Sequence, residues 1–137
     1  MPFLLDTNVC IGILTGRSTK AVAKLRQLAP TEVRFCSVVR AELQFGARNS
    51  IRVEANLNLL ETFLSPFTSV AFDDGAANYY GRIRADLHRA GELIGPNDLL
   101  IAALALANDL VLVTHNVKEF GRVPGLRWAD WEGHAPA

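Results

Sequence analysis

Short apolar runs alternate with amphipathic stretches along this chain, a pattern that predicts strands separated by helices. Pro2–Leu5 is an apolar run ending at Asp6, and Val33–Cys36 is a second. Leu110–Val113 is a third, followed by Thr114-His115-Asn116, and Phe67–Phe72 alternates weakly as a further strand. Between them, Thr7–Leu14 reads as a short helix with Gly16 as its stop. Ser18 or Thr19 would cap a helix through Leu28, with Ala21, Val22, Leu25 and Leu28 on one stripe and Pro30 ending it. Ser37 is placed to cap Val38–Arg48, with Glu42 about two turns in. Ile51–Leu64 is another amphipathic helix, and Asp73 or Asp74 would cap a long one to about Ala90, stopped by Gly91. Leu99–Ala107, opened by Asp98 behind Gly95-Pro96, is apolar nearly all round, as in a helix buried on more than one side. Gly125–Trp131 would add an edge strand carrying Trp128, and Gly133–Ala137 reads as a frayed tail.

Strands alternating with helices imply an α/β fold with a mostly parallel sheet and helices on both faces. In such sheets ligands bind at the carboxyl ends of the strands. That rule changes the meaning of Asp6, Glu42, Asp98 and Asn116, because each follows a strand or opens the helix after one. Far apart in sequence, they would converge on one edge. Three carboxylates and an amide oxygen are hard donors that suit Mg²⁺ or Mn²⁺. Clustered carboxylates raise one another's pKa, so a fold that gathers them needs a neutralising cation or a retained proton. One or two divalent ions would activate a water and stabilise a leaving phosphate oxygen. Each residue also has a purely structural reading. Asp6 would cap Thr7–Leu14, Asp98 would complement a helix dipole, Glu42 would be a solvated helix residue and Asn116 a turn residue. Thr7 and Asn8 would either cap or orient Asp6.

Composition bounds the picture without altering it. The chain has 137 residues, a common size for one domain, so residues 1–137 are taken as one, with the tail from about residue 132 frayed. No apolar run reaches the roughly 18 residues of a membrane span. The start MPFLLDTN lacks a basic region and does not read as a signal peptide. Cys10 and Cys36 form no CxxC motif and read as buried small hydrophobes in a reducing cytoplasm. The net charge is zero but uneven. Arg17, Lys20, Lys24, Arg26, Arg34, Arg40, Arg48 and Arg52 face only Glu32 and Glu42, whereas acids outnumber bases from Ala71 onward. A basic half beside an acidic pocket suits a polyanion held against bound metal, although solvated helix faces would give the same count. His88 and His134 lie apart from the acids, and His115 reaches the pocket only beside Asn116. No nucleophile-elbow, P-loop or dinucleotide-binding glycine pattern is present.

With those residues in place, the segments LLDTNVCIGIL, SVVRAELQFGA and IGPNDLLIAALALANDLVLVTHNVKEFGRVPGLRWADW together resemble the PIN domain, and more narrowly its VapC-type toxins. The resemblance spans residue 3 to about 131 and keeps the family's order: LDTN, a Glu before L-x-x-G, GxxDxxIAA, and VTxN…F with VPGL. It implies a PIN-like three-layer sandwich and a Mg²⁺- or Mn²⁺-dependent endoribonuclease with one or two ions. It also implies that Asp6, Glu42 and Asp98 form the acidic triad, with Asn116 at a fourth position that holds Asp in many members. Thr114 matches a hydroxyl that supports the site. The resemblance further implies a homodimer and inhibition by a VapB-type antitoxin whose C-terminal segment enters the acidic groove. The complex with antitoxin would be a larger assembly, and the substrate a structured RNA such as tRNA. Arg17, Lys20, Lys24 and Arg48 are candidates for contact with the RNA backbone.

Three other readings compete. A phosphoacceptor receiver domain needs paired acids after the first strand and a Lys ending a later one; Asp6 stands alone, and Lys118 comes too late. A catalytically idle PIN-like binding module gains little from unbalanced carboxylates. A DNA-directed PIN nuclease would need extra segments to grip its substrate.

Overall fold

The computed structural model describes residues 1–133. Its centre is a five-stranded parallel sheet in the order β3-β2-β1-β4-β5. The strands are β1 (Phe3–Leu5), β2 (Val33–Cys36), β3 (Thr68–Val70), β4 (Val111–Val113) and β5 (Trp128–Ala129). Leu4, Leu5, Val33, Phe35, Cys36, Leu112 and Val113 are buried, as a parallel sheet covered on both faces requires. The chain travels one way from β1 to β3, then crosses back to β4 and β5. Right-handed crossovers therefore put the two sets of connections on opposite faces. The expected α/β sandwich is thus the observed one. Its switch point lies between β1 and β4, where the backbone N–H of Asp6 donates to the carbonyl of Val113 at 3.1 Å.

The helices are α1 (Thr7–Leu14), α2 (Thr19–Arg26), α3 (Ser37–Arg48), α4 (Val53–Leu64), α5 (Asp74–Ala90), α6 (Pro96–Ala107) and α7 (Val117–Phe120). Gly16 and Gly91 adopt φ of 74° and 70°, the left-handed region that ends a helix without a Cβ penalty. Asp73 caps α5 by accepting from the N–H of Ala76. Helix α6 buries Leu99 and every residue from Ile101 to Ala105, as its uniformly apolar sequence demands. Phe35 meets Phe63 and Phe67 edge-on at 5.3 and 5.2 Å under β2. No helix among the described residues is long and apolar enough to cross a membrane.

Several boundaries differ from the sequence pattern, each for a local reason. Helix α2 ends at Arg26 because Gln27 and Leu28 close tighter i→i−3 bonds ahead of Pro30. Ser37 does not cap α3. It is the first helical residue, and its hydroxyl accepts from the N–H of Phe72 at 3.2 Å, tying α3 to the chain leaving β3. That bond and the end of β2 at Cys36 limit β3 to three residues. Helix α4 starts at Val53, leaving Ile51 fully exposed. Helix α6 starts at Pro96, whose missing N–H and fixed φ suit a first helical position, so Asp98 lies inside the first turn. Strand β5 is only two residues long, and Trp131 leaves it to pack edge-on against Phe3 at 5.4 Å. Glu132 and Gly133 are tied back, their N–H groups donating to Asp130 at 3.0 and 3.1 Å. The remainder of the expected frayed tail, 134–137, lies outside the described residues.

Candidate active site

Asp6 follows β1 directly and is 6% exposed. It caps α1, its Oδ1 accepting from the N–H of Val9 at 2.9 Å, so the structural reading of this residue is correct as far as it goes. Burial raises the Asp6 pKa, the Val9 N–H and the fully buried Thr114 hydroxyl nearby oppose the rise, and the charges of Glu132 and Glu42 add to it. A buried cap that feels two further carboxylates is more than a helix signal.

Glu42 lies in the second turn of α3, half-buried, and Thr7 donates its hydroxyl to Glu42 Oε1 at 3.0 Å. Thr7 therefore orients Glu42. Thr7, Asn8, Glu42, Phe45, Asn97 and Leu100 help line a cleft of about 740 Å³ between α1, α3 and the start of α6. On its other side Glu42 borders an apolar groove of about 390 Å³ formed with Ile11, Leu14, Leu43, Leu59 and Leu60.

Asp98 is half-buried in the first turn of α6, and its pKa is pushed up to about 7. Burial contributes most, followed by the charge of Glu119 and a hydrogen bond with it, then by Asp6 and Glu42. Glu119 moves the other way. The N–H of Gly95 lowers its pKa most, helped by the Asn116 amide, Asp98 and Arg122 against a smaller effect of burial. Asp98 thus holds the proton of an Asp98–Glu119 pair. Asn116 is exposed, its N–H donates to Thr114 Oγ1 at 3.0 Å, and its Nδ2 donates to Glu119 Oε2 at 2.8 Å. It meets the acids through Glu119.

Glu119 is the member of this cluster that the sequence pattern misses. It sits on the single-turn helix α7, too short for any periodicity to reveal. Its only signal is a position one turn beyond Asn116. Glu132 was also unassigned, yet Ser18 donates its hydroxyl to Glu132 and the Glu132 charge reaches Asp6. His115 is exposed and pairs through Nδ1 with Asp130 at 3.0 Å. Burial alone would raise the Asp130 pKa, but the Glu132 N–H, the His115 ring and the Gly133 N–H outweigh it and lower it. Of the basic candidates, Lys20 and Lys24 line a separate cavity with Trp131. Arg17 donates to the Thr15 hydroxyl, and Arg48 donates to Gln44 at the end of α3. Both thiols are free and buried; burial raises the pKa of Cys10 and takes that of Cys36 to about 11.

Among the described residues the ion pairs are Arg40–Glu61, Arg89–Asp86 and His115–Asp130, and none engages Asp6, Glu42, Asp98 or Glu119. Carboxylates that raise one another's pKa without a paired cation are chemically matched to a hard divalent ion. No three acidic, His or Cys side chains among the described residues stand together as a ready-made cage.

The titration has a measurable consequence for metal-free protein. Asp98 and Asp6 both have folded pKa values above their unfolded ones, so each contributes stability at low pH that is lost as pH rises, for Asp98 through about 7. Glu119 acts oppositely, but its lowered pKa confines its effect to more acidic solution. In EDTA the melting temperature is expected to fall between pH 5 and pH 8, and Asp98→Asn should flatten that fall. Glu119→Gln should move the midpoint to lower pH. A melting temperature that climbs over this interval would contradict the assignment.

A doubly wound parallel sheet with acids gathered at its switch point defines a class that comparison with known proteins identifies. Residues 3–126 match the PIN domain, and the chain belongs to that family. It is 38% identical over 133 residues to Ribonuclease VapC2 of Rickettsia felis, covering 96% of this chain and 99% of the relative. It is 39% identical over 131 residues to the tRNA(fMet)-specific endonuclease VapC of Shigella flexneri, covering 96% and 98%. Among solved structures it superposes on DNA-bound VapBC from Salmonella typhimurium with a TM-score of 0.90 at 37% identity, covering 96% and 98%.

Proposed function

We propose that this chain is a Mg²⁺- or Mn²⁺-dependent endoribonuclease, the toxin of a VapBC-type toxin–antitoxin pair. The reading is carried by the mutual influence of Asp6, Glu42 and Asp98, none of which enters an ion pair among the described residues. The VapC names and the shared fold of its relatives support it. Cleavage is of phosphodiester bonds in a structured RNA such as tRNA, in the cytoplasm, and it arrests translation and growth.

Asp6 and Asp98 would hold the metal, with Glu42 and Asn116 as further oxygen donors and Glu119 bonded to Asn116 beside them. One or two bound ions would lower the pKa of an attacking water and offset charge on the leaving oxygen. Thr114 receives the N–H of Asn116 and its hydroxyl favours the ionised form of Asp6, so one buried side chain acts on two others. Thr7 holds Glu42. Burial and the Glu119 charge favour the protonated form of Asp98, and a bound cation would favour the ionised form instead. Gly95 anchors Glu119 through its backbone N–H. Arg17 and Arg48 are exposed candidates for backbone contact.

The partner is a VapB-type antitoxin, and the chain acts as a homodimer within a larger complex. The apolar groove beside Glu42, with Leu59 51% exposed on its wall, suits an amphipathic antitoxin segment. A basic side chain on that segment would reach the carboxylates in place of metal. Expression of this chain alone is expected to arrest bacterial growth, and co-expression of its antitoxin to restore it. Normal growth with soluble wild-type protein would contradict the toxin role and favour an idle binding module.

A further inference from the structure

A further cavity, of about 530 Å³, opens between α2 and the chain leaving β5. Phe3, Lys20, Lys24, Gln27, Asp130 and Trp131 are among the residues that line it. Lys20 and Lys24 stand one helical turn apart on α2, exposed, and neither takes part in an ion pair of the described residues. The facing wall is aromatic, and Phe3 holds the Trp131 ring edge-on at an interplanar angle of 67°. Asp130 does not oppose the lysines freely. Its side chain is 9% exposed and is committed to His115 and to the N–H groups of Glu132 and Gly133.

The cavity is joined to the carboxylates at two points. His115, which holds Asp130, lies between Thr114 and Asn116. Glu132, next to Trp131, is bonded by Ser18 and its charge reaches Asp6. Through these links the residues next to the acids, His115 and Glu132, border a cavity that presents two lysines without an ion pair among the described residues and an indole. Lysines that track phosphates beside an aromatic stacking surface are the elements by which proteins bind single-stranded nucleic acid without reading sequence. A duplex keeps its base faces stacked and offers nothing to an indole.

We propose that this cavity is a subsite for the single-stranded RNA flanking the scissile bond, with backbone phosphates against Lys20 and Lys24 and a base against Trp131. The subsite rests on the ribonuclease reading and goes beyond it, because it assigns Trp131 and says which part of the RNA lies where.

The test uses Asp98→Asn protein, which should bind without cutting, and a short fluorescein-labelled single-stranded oligoribonucleotide. Affinity is measured by anisotropy across a KCl series. Each phosphate contact adds about 0.7 to the slope of log affinity against log salt for single strands, so Lys20→Gln with Lys24→Gln should flatten that slope by about 1.4. A merely structural role would leave it unchanged. Trp131 emission, read with Trp128→Phe, should be quenched by the oligonucleotide, and Trp131→Leu should weaken binding on the order of tenfold. In the active protein the lysine pair should raise KM with kcat within about twofold. Binding and cleavage that both survive the lysine changes, with an unaltered salt slope and no quenching, would overturn the subsite and leave the ribonuclease standing. A parent protein that neither binds nor cuts RNA would overturn both.

Discussion

Asp98→Asn is expected to lose RNA cleavage by about three orders of magnitude while keeping its fold. Metal-ion catalysis supplies several kcal/mol of transition-state stabilisation, and each 1.36 kcal/mol is about a factor of ten. An amide keeps the size of the carboxylate but removes the charge that holds the ion. Asn also relieves a repulsion, because Glu119, Asp6 and Glu42 all act against ionised Asp98. The variant should therefore melt at or above the wild-type temperature in EDTA at pH 8. Asp6→Asn should lose as much activity, with less gain in stability, since Asp6 also caps α1 through Val9. Undiminished cleavage by both variants would end the metal-triad account. Lost cleavage with a lowered melting temperature would mean that the residues matter for folding.

Thr114→Val should produce the next largest effect, because it removes one buried hydroxyl that serves two site residues. The swap keeps the side chain's shape. It leaves the N–H of Asn116 without its acceptor and removes a hydroxyl that favours ionised Asp6. Loss of a buried partner costs about 1–3 kcal/mol. Residues that orient metal ligands are typically worth about 10- to 100-fold in metal affinity or activity. Cleavage by Thr114→Val should accordingly fall by about that factor and recover in part at high Mn²⁺. A drop in stability with unchanged Mn²⁺ dependence would confine Thr114 to the core.

Much of this arrangement was legible in the sequence because it follows from local rules. Asp6, Asp73 and Asp98 sit where helix starts favour acids, and Gly16 and Gly91 sit where helix ends favour a left-handed residue. The runs FLL, VRFC and VLV announce buried parallel strands, and parallel strands fix which edge collects the helix starts. What was not legible depends on contacts made in space. Glu119 joins the acids only because α7 is a single turn that aims it at the N–H of Gly95. Ser37 looks like a cap, but Phe72, brought beside it by β3, claims its hydroxyl. Thr7 has the right chemistry to orient Asp6, yet α3 places Glu42 closer to hand. The sequence pattern runs an edge strand through Trp131. The strand stops two residues earlier, and the indole becomes the wall of a cavity.

The most direct test of the metal-dependent ribonuclease is cleavage of total bacterial RNA by the purified chain, in Mg²⁺, in Mn²⁺ and in EDTA, beside Asp98→Asn. The account predicts discrete fragments with either ion, none in EDTA, restoration when metal is returned, and none from Asp98→Asn under any condition. Fragments that persist in EDTA, or that Asp98→Asn also makes, would contradict it.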